Sequence, residues 1–183
     1  TFSLLPSPLL EKDTGATLVA SFTDFDQDGD SDLFVLNDYG DIYEPNKLLL
    51  NTYPQKTMQE ISVLMGFDNE MQSMGLATGD IDEDGDLDYY ITNLGDNYLL
   101  ENQNGSSFKN ISNTKNVIDG VGFSWGTAFL DINNDSYLDL YVAKGSIFAD
   151  NDSQANKLYQ YDQVSEKFID NSIAEGMAEP NRD

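Results

Sequence analysis

The chain has 183 residues, 33 acidic against 9 basic, and a formal charge of −24; nucleic acid and anionic lipid, which both require a basic face, are excluded as partners. Cysteine and histidine are absent, which removes disulfides, the commonest general base and the commonest transition-metal ligand. No apolar run reaches the roughly 18 residues of a membrane span, so direct membrane insertion is not expected, while 39% hydrophobic content with 10 Phe and 10 Tyr suits a buried core rather than a disordered acidic chain.

In chain order, a strand is predicted over TLVASFT (17–23), followed by the acidic segment DFDQDGDSD (24–32) and a second strand, LFVLN (33–37). After DYGDIYEPN (38–46) come a third strand, NKLLLN (46–51), and a fourth, MQEIS (58–62). The series restarts with GLATG (75–79), DIDEDGDLD (80–88), YYITN (89–93), NYLLEN (97–102) and FKNIS (108–112), the last two joined across Asn104-Gly105, a hairpin signal. A third round gives GTAFL (126–130), DINNDSYLD (131–139), LYVAK (140–144), the connection KGSIFADNDSQAN (144–156), NKLYQY (156–161) and FIDNS (168–172). Asp24 to Asp80 is 56 positions and Asp80 to Asp131 is 51. The strands are predicted from β-branched and aromatic enrichment, and no amphipathic helix interrupts them.

Four short antiparallel strands per repeat of about 50 residues describe a propeller blade, which needs neighbours to bury both faces. The expected fold class is all-β: three blades, approximately 14–66, 67–118 and 119–177, forming a partial β-propeller over 1–183. Small residues, Ser21, Ala77 and Ala128, stand three places ahead of each acidic segment, and Val19, Gly75 and Gly126 five places ahead. This predicts a narrow strand face packed near a central axis, with Phe22, Trp125 and Phe129 on the bulky side. Phe34, Tyr90 and Tyr141, two places after each segment, are predicted to pack in the core.

The acidic segments hold 14 of the 33 carboxylates in 27 positions. Oxygen side chains at positions 1, 3 and 5 followed by Gly at 6 suit a hard cation such as Ca²⁺, which takes six to eight oxygens. The candidate ligands are Asp24, Asp26, Asp28, the Asp30 carbonyl and Asp32; Asp80, Asp82, Asp84, the Asp86 carbonyl and Asp88; and Asp131, Asn133, Asp135, the Tyr137 carbonyl and Asp139. Gly29 and Gly85 make the turn, but Ser136 occupies that place in the third segment. If the position needs positive φ, Ser is costly there, and Asn133 brings one charge fewer, so the third site is expected to be the weakest. An EF-hand begins alike but needs Glu at position 12 and flanking helices; Val35, Ile91 and Val142 stand there, inside strand-like runs.

GLATGDIDEDGDLDYYITN and WGTAFLDINNDSYLDLYVAK resemble FG-GAP/VCBS repeats, which build the calcium-carrying propellers of integrin α chains and many bacterial surface proteins. The NxLLxN third strand and closing F-x-x-x-S segment are most similar to the group found in cartilage acidic protein and in bacterial proteins with an ASPIC/UnbV domain. The resemblance implies about seven blades, within the known range, about three structural Ca²⁺ ions at the positions above, and an extracellular or cell-surface location. Blades at the ends of a partial array would be covered by further blades or a partner subunit.

The expected function is a non-enzymatic binding or adhesion scaffold for a protein or glycan, with 38–46 and 144–156 as candidate contact loops. One alternative is an accessory subunit of a bacterial outer-membrane uptake or surface complex; another is a non-catalytic part of a polysaccharide-degrading enzyme. Paired carboxylates or a Tyr could support such catalysis, but the clustered acids are accounted for as ligands and no nucleophile–base pair stands out.

Overall fold

A computed structural model describes residues 13–120, 122–147 and 154–176. Twelve strands form three four-stranded antiparallel sheets in meander order. The first contains β1 (Ala16–Thr23), β2 (Asp32–Asp38), β3 (Lys47–Asn51) and β4 (Met58–Glu60). The second contains β5 (Gly75–Gly79), β6 (Asp88–Thr92), β7 (Tyr98–Asn102) and β8 (Phe108–Asn110). The third contains β9 (Ser124–Leu130), β10 (Asp139–Lys144), β11 (Lys157–Asp162) and β12 (Lys167–Asp170). Each is a blade-like unit with its acidic segment joining first strand to second. Among the described residues one feature departs from the expected all-strand pattern: a helical turn, α1 (Ser62–Met65), stopped by Gly66 in the left-handed conformation.

The cores lie between sheets, and the strand alternation decides which side chain enters which core. Phe34, Leu36 and Leu48 of the first sheet pack with Tyr89, Ile91, Leu100 and Phe108 of the second. The Phe34 and Tyr89 rings stack with centroids 4.5 Å apart. Tyr90, on the opposite face of β6, packs with Leu99, Leu140, Val142 and Phe168. Both faces of β6 are therefore covered, and all five of its residues are buried. Phe34 and Tyr90 are 0% exposed as expected; Tyr141 is half-buried, paired with Leu158 and Ala128.

The small residues before each loop also answer to cross-strand register. Ser21 pairs directly with Phe34, Ala77 with Tyr90 and Ala128 with Tyr141. Each sits opposite an aromatic ring on the neighbouring strand, and its size leaves room for that ring. First strands of successive sheets do approach closely at Gly75, where a Cβ would fall 2.3 Å from the Trp125 carbonyl oxygen of β9.

The fourth strands end earlier than predicted, because Ser62, Ser112 and Ser172 have another task. Their hydroxyls accept hydrogen bonds from the amides of Leu48, Leu99 and Leu158 in the third strands, at 3.0, 2.6 and 2.9 Å. The third strands likewise begin after Asn46, Asn97 and Asn156. Those side chains accept bonds from the Asn37, Asn93 and Lys144 amides and so close each connection between second and third strands. Of the 144–156 connection, residues 148–153 lie outside the described residues.

Candidate metal centre

Each acidic loop begins at the end of one strand and finishes at the start of the next, with strands on both sides. This excludes the helix-flanked EF-hand. Residue two of the loop anchors it: Phe25 belongs to the core between the first and second sheets and Ile81 to the core between the second and third. The carboxylates then fold inward over the loop's own amides. Asp24 accepts hydrogen bonds from Asp28 and Gly29 N–H, Asp80 from Gly85, and Asp131 from Asp135 and Ser136. Position 3 repeats the pattern: Asp26 accepts from Asp28, Asp82 from Asp84 and Asn133 from Asp135. So does position 5: Asp28 accepts from Asp30, Asp84 from Asp86 and Asp135 from Tyr137. Three segments of different sequence thus adopt one hydrogen-bonded form.

That form requires two left-handed residues. Position 4 has φ of 60°, 61° and 60° at Gln27, Glu83 and Asn134; position 6 has 95°, 96° and 76° at Gly29, Gly85 and Ser136. The expected demand at position 6 is present, and Ser136 meets it as a side-chain-bearing residue. The demand at position 4 was missed, since Gln and Glu carry no sequence signal for it; only Asn134 does.

The carboxylates converge. Oxygens of Asp24, Asp26 and Asp28 lie within 4.8 Å of one another, as do those of Asp80, Asp82 and Asp88. In the third loop, where Asn133 replaces an acid, no such trio of acids occurs among the described residues, and the Asn133 amide donates to Asp135. Asp30 Oδ1, Asp80 Oδ1 and Asp86 Oδ1 are buried without a hydrogen-bond partner. Burial, then the neighbouring carboxylates, raises the pKa of Asp26, Asp82 and Asp86. Burial pushes Asp32 up to about 6 and Asp88 up to about 7, against hydrogen bonds that pull the other way. Asp139 is raised too, again chiefly by burial. Converging hard oxygens, orphaned buried lone pairs and carboxylates that resist ionisation fit a divalent cation such as Ca²⁺.

The last aspartate of each loop does more than the sequence suggested. One oxygen of Asp32, Asp88 and Asp139 accepts from the amide of loop position 2, and the other from the third strand at Asn51, Asn102 and Tyr161. It joins the loop to the sheet. Position 7 also uses its side chain: the Asp86 carboxylate accepts from Asn104 N–H in the hairpin turn, and Tyr137 stacks on Tyr161. The first two loops are linked across the blades. Gln27 Nε2 donates to the Gly85 carbonyl at 2.7 Å, and Asn102 Nδ2 to the Phe25 carbonyl at 2.8 Å. A cavity of about 260 Å³ remains between them, lined by Phe25, Asp26, Gln27, Asp84 and Asp86.

Repeated antiparallel four-stranded units, packed face to face and each carrying an acidic turn between its first two strands, define a blade-repeat scaffold. The chain belongs to the FG-GAP-like repeat family, whose model matches residues 24–91 and 80–142, together more than half its length. No curated protein matches the chain. Among the described residues no helix is long and apolar enough to cross a membrane.

Proposed function

We propose that the protein is a calcium-stabilised binding scaffold of the extracellular space or cell surface, contacting a protein or glycan through loops of its blade-like units. The observation that carries this reading is the convergence of carboxylates in the first two loops, with Asp80 Oδ1 buried and unpartnered in the second. Asp24, Asp26, Asp28 and Asp32, with the Asp30 carbonyl, would hold one ion; Asp80, Asp82, Asp84 and Asp88, with the Asp86 carbonyl, a second. Asp131, Asn133, Asp135 and Asp139, with the Tyr137 carbonyl, would hold the weakest. Three dications bring the charge from −24 to −18 and remove repulsion where it is densest. Ligand oxygens on both sides of each turn fix the link between first and second strands. We assign the chain no catalytic chemistry, because its clustered carboxylates are used as turn acceptors and ligands.

Calorimetric titration with Ca²⁺, paired with thermal unfolding, tests the reading. Each site adds about 2.7 kcal/mol when free ion is about 100 times its dissociation constant. EDTA is expected to lower the melting temperature and millimolar Ca²⁺ to restore it, with Asp24→Asn and Asp80→Asn each removing one binding event. A melting curve indifferent to both treatments contradicts the proposal.

A further inference from the structure

The cavity between the first two acidic loops is walled by two blade-like units. The Gln27–Gly85 and Asn102–Phe25 hydrogen bonds tie its walls together across the junction. The turn between β7 and β8 closes one side. Gly105 in that turn lies so near the first loop that a Cβ on it would fall 2.9 Å from Asp26 Cβ. About 260 Å³ stays unfilled within this frame.

Asp86 is the wall residue that points to an occupant. It is 4% exposed. Its Oδ2 accepts from Asn104 N–H at 2.8 Å, and Asn104 lines the same cavity, which turns the carboxylate toward it. Its Oδ1 is buried with no hydrogen-bond partner. The loop site proposed above leaves this oxygen unused, because it takes the Asp86 carbonyl. Asp26 from the first loop and Asp84 from the second also line the space, and no lysine or arginine does. None of the three acids is in an ion pair among the described residues. A buried lone pair without a donor is costly, and carboxylates around one space repel one another. A water molecule alone would satisfy the lone pair but leave the charges unopposed.

We propose that this cavity holds a hydrated divalent cation, a site additional to the three loops, which bridges the first and second blade-like units. Mg²⁺ suits it, because that ion dehydrates reluctantly and binds through one or two carboxylates while keeping several waters. Six waters at about 30 Å³ each fill about 180 Å³, which the cavity accommodates, whereas a bare ion leaves most of the space empty. The waters donate to Asp86 Oδ1 and to lone pairs of Asp26 and Asp84 that loop ions and amides leave free, since a carboxylate offers about four such places. Charge favours the same occupant. The first two acidic segments hold 11 acids, and a dication in each loop offsets four of those charges, leaving seven. In the third loop Tyr137 takes the place of Asp86 and stacks on Tyr161, so no equivalent ion is expected between the second and third loops.

The test uses the full chain with one Ca²⁺ supplied per loop, titrated calorimetrically with hexaamminecobalt(III). The ammonia ligands of this probe mimic the waters of hydrated Mg²⁺ and do not exchange for carboxylate, so it reads the cavity and not the loops. One saturable event per chain is expected, displaced by Mg²⁺. Asp86→Asn keeps an acceptor for Asn104 N–H and the carbonyl that the loop uses. It is expected to weaken the event at least about tenfold through the lost charge. The loop Ca²⁺ events, counted in a separate titration of the same variant, should be retained; that count tests the loop reading independently of the cavity. No saturable event in the parent, an event that Mg²⁺ does not displace, or equal binding by parent and Asp86→Asn would overturn the proposal. Loss of a loop Ca²⁺ event in Asp86→Asn would do so as well, by placing that carboxylate in the loop site.

Discussion

Replacing Ser136 by glycine isolates the backbone demand of the third loop. Ser136 is exposed with φ of 76°, and its amide bond to Asp131 survives any substitution that keeps the N–H. A side-chain-bearing residue in the left-handed region costs about 1–2 kcal/mol. Glycine returns about 0.4–1 kcal/mol of that through the larger entropy of its unfolded chain. The net gain is therefore about 0.5–1 kcal/mol, or about 2–3 °C in melting temperature for a chain of this size. If the ion-free loop relaxes out of this conformation, the same energy appears as a 2–5-fold tighter third site, at about 1.4 kcal/mol per tenfold. Gly85→Ser is the reciprocal change: φ is 96° and nothing lies within 4 Å of the added Cβ. Its cost of at least about 1 kcal/mol is purely conformational. Thermal unfolding with and without Ca²⁺, and terbium luminescence titration, measure both variants. If Ser136→Gly does not stabilise and Gly85→Ser does not destabilise, backbone conformation at position 6 is not what distinguishes the loops.

The metal-free protein should be more stable at pH 5 than at pH 8. Asp88 ionises near 7 in the fold but near 3.9 when unfolded. The folded state therefore binds the extra proton, and stability falls as pH rises between those values. At about 1.4 kcal/mol per pH unit, this is about 4 kcal/mol at most, with Asp32 adding in the same direction up to about pH 6. Ca²⁺ competes with these protons, so its stabilising effect should grow from pH 5 to pH 8; melting temperatures in EDTA that do not vary over this range would contradict it. Ser112→Ala leaves the buried Leu99 amide without its acceptor and should cost about 1–3 kcal/mol, measured by urea unfolding.

How much was legible in the sequence depended on whether a residue acts through its type or through its neighbours. Strand order and the positions of the acidic loops were readable because β-branched runs and alternating aspartates report local chemistry. The role of Ser136 was readable because its two counterparts are glycines. The small residues at Ser21, Ala77 and Ala128 were readable, but the aromatic ring opposite each was not: cross-strand register sets it, and one strand alone does not reveal register. Asn97 and Ser112 looked like strand residues because their partners, Asn93 and Leu99, lie on other segments. Tyr39 gave no sign of its left-handed backbone, at φ of 52°, since tyrosine ordinarily avoids it.

The last aspartate of each loop links metal chemistry to fold stability. Asp88 is 1% exposed and bonds amides at both Ile81 and Asn102. A carboxylate so placed strengthens both bonds when ionised, yet burial opposes that ionisation. A dication held among Asp80, Asp82 and Asp88 would shift the balance toward the ionised form and so would reinforce the attachment of the loop to the third strand. Ile81 also sits in the core beneath the loop. On the proposed reading, ion occupancy would therefore act on the packing between the second and third sheets as well as on the turn itself. A loop built only to neutralise its own aspartates would need neither the buried Asp88 nor the apolar residue beside Asp80.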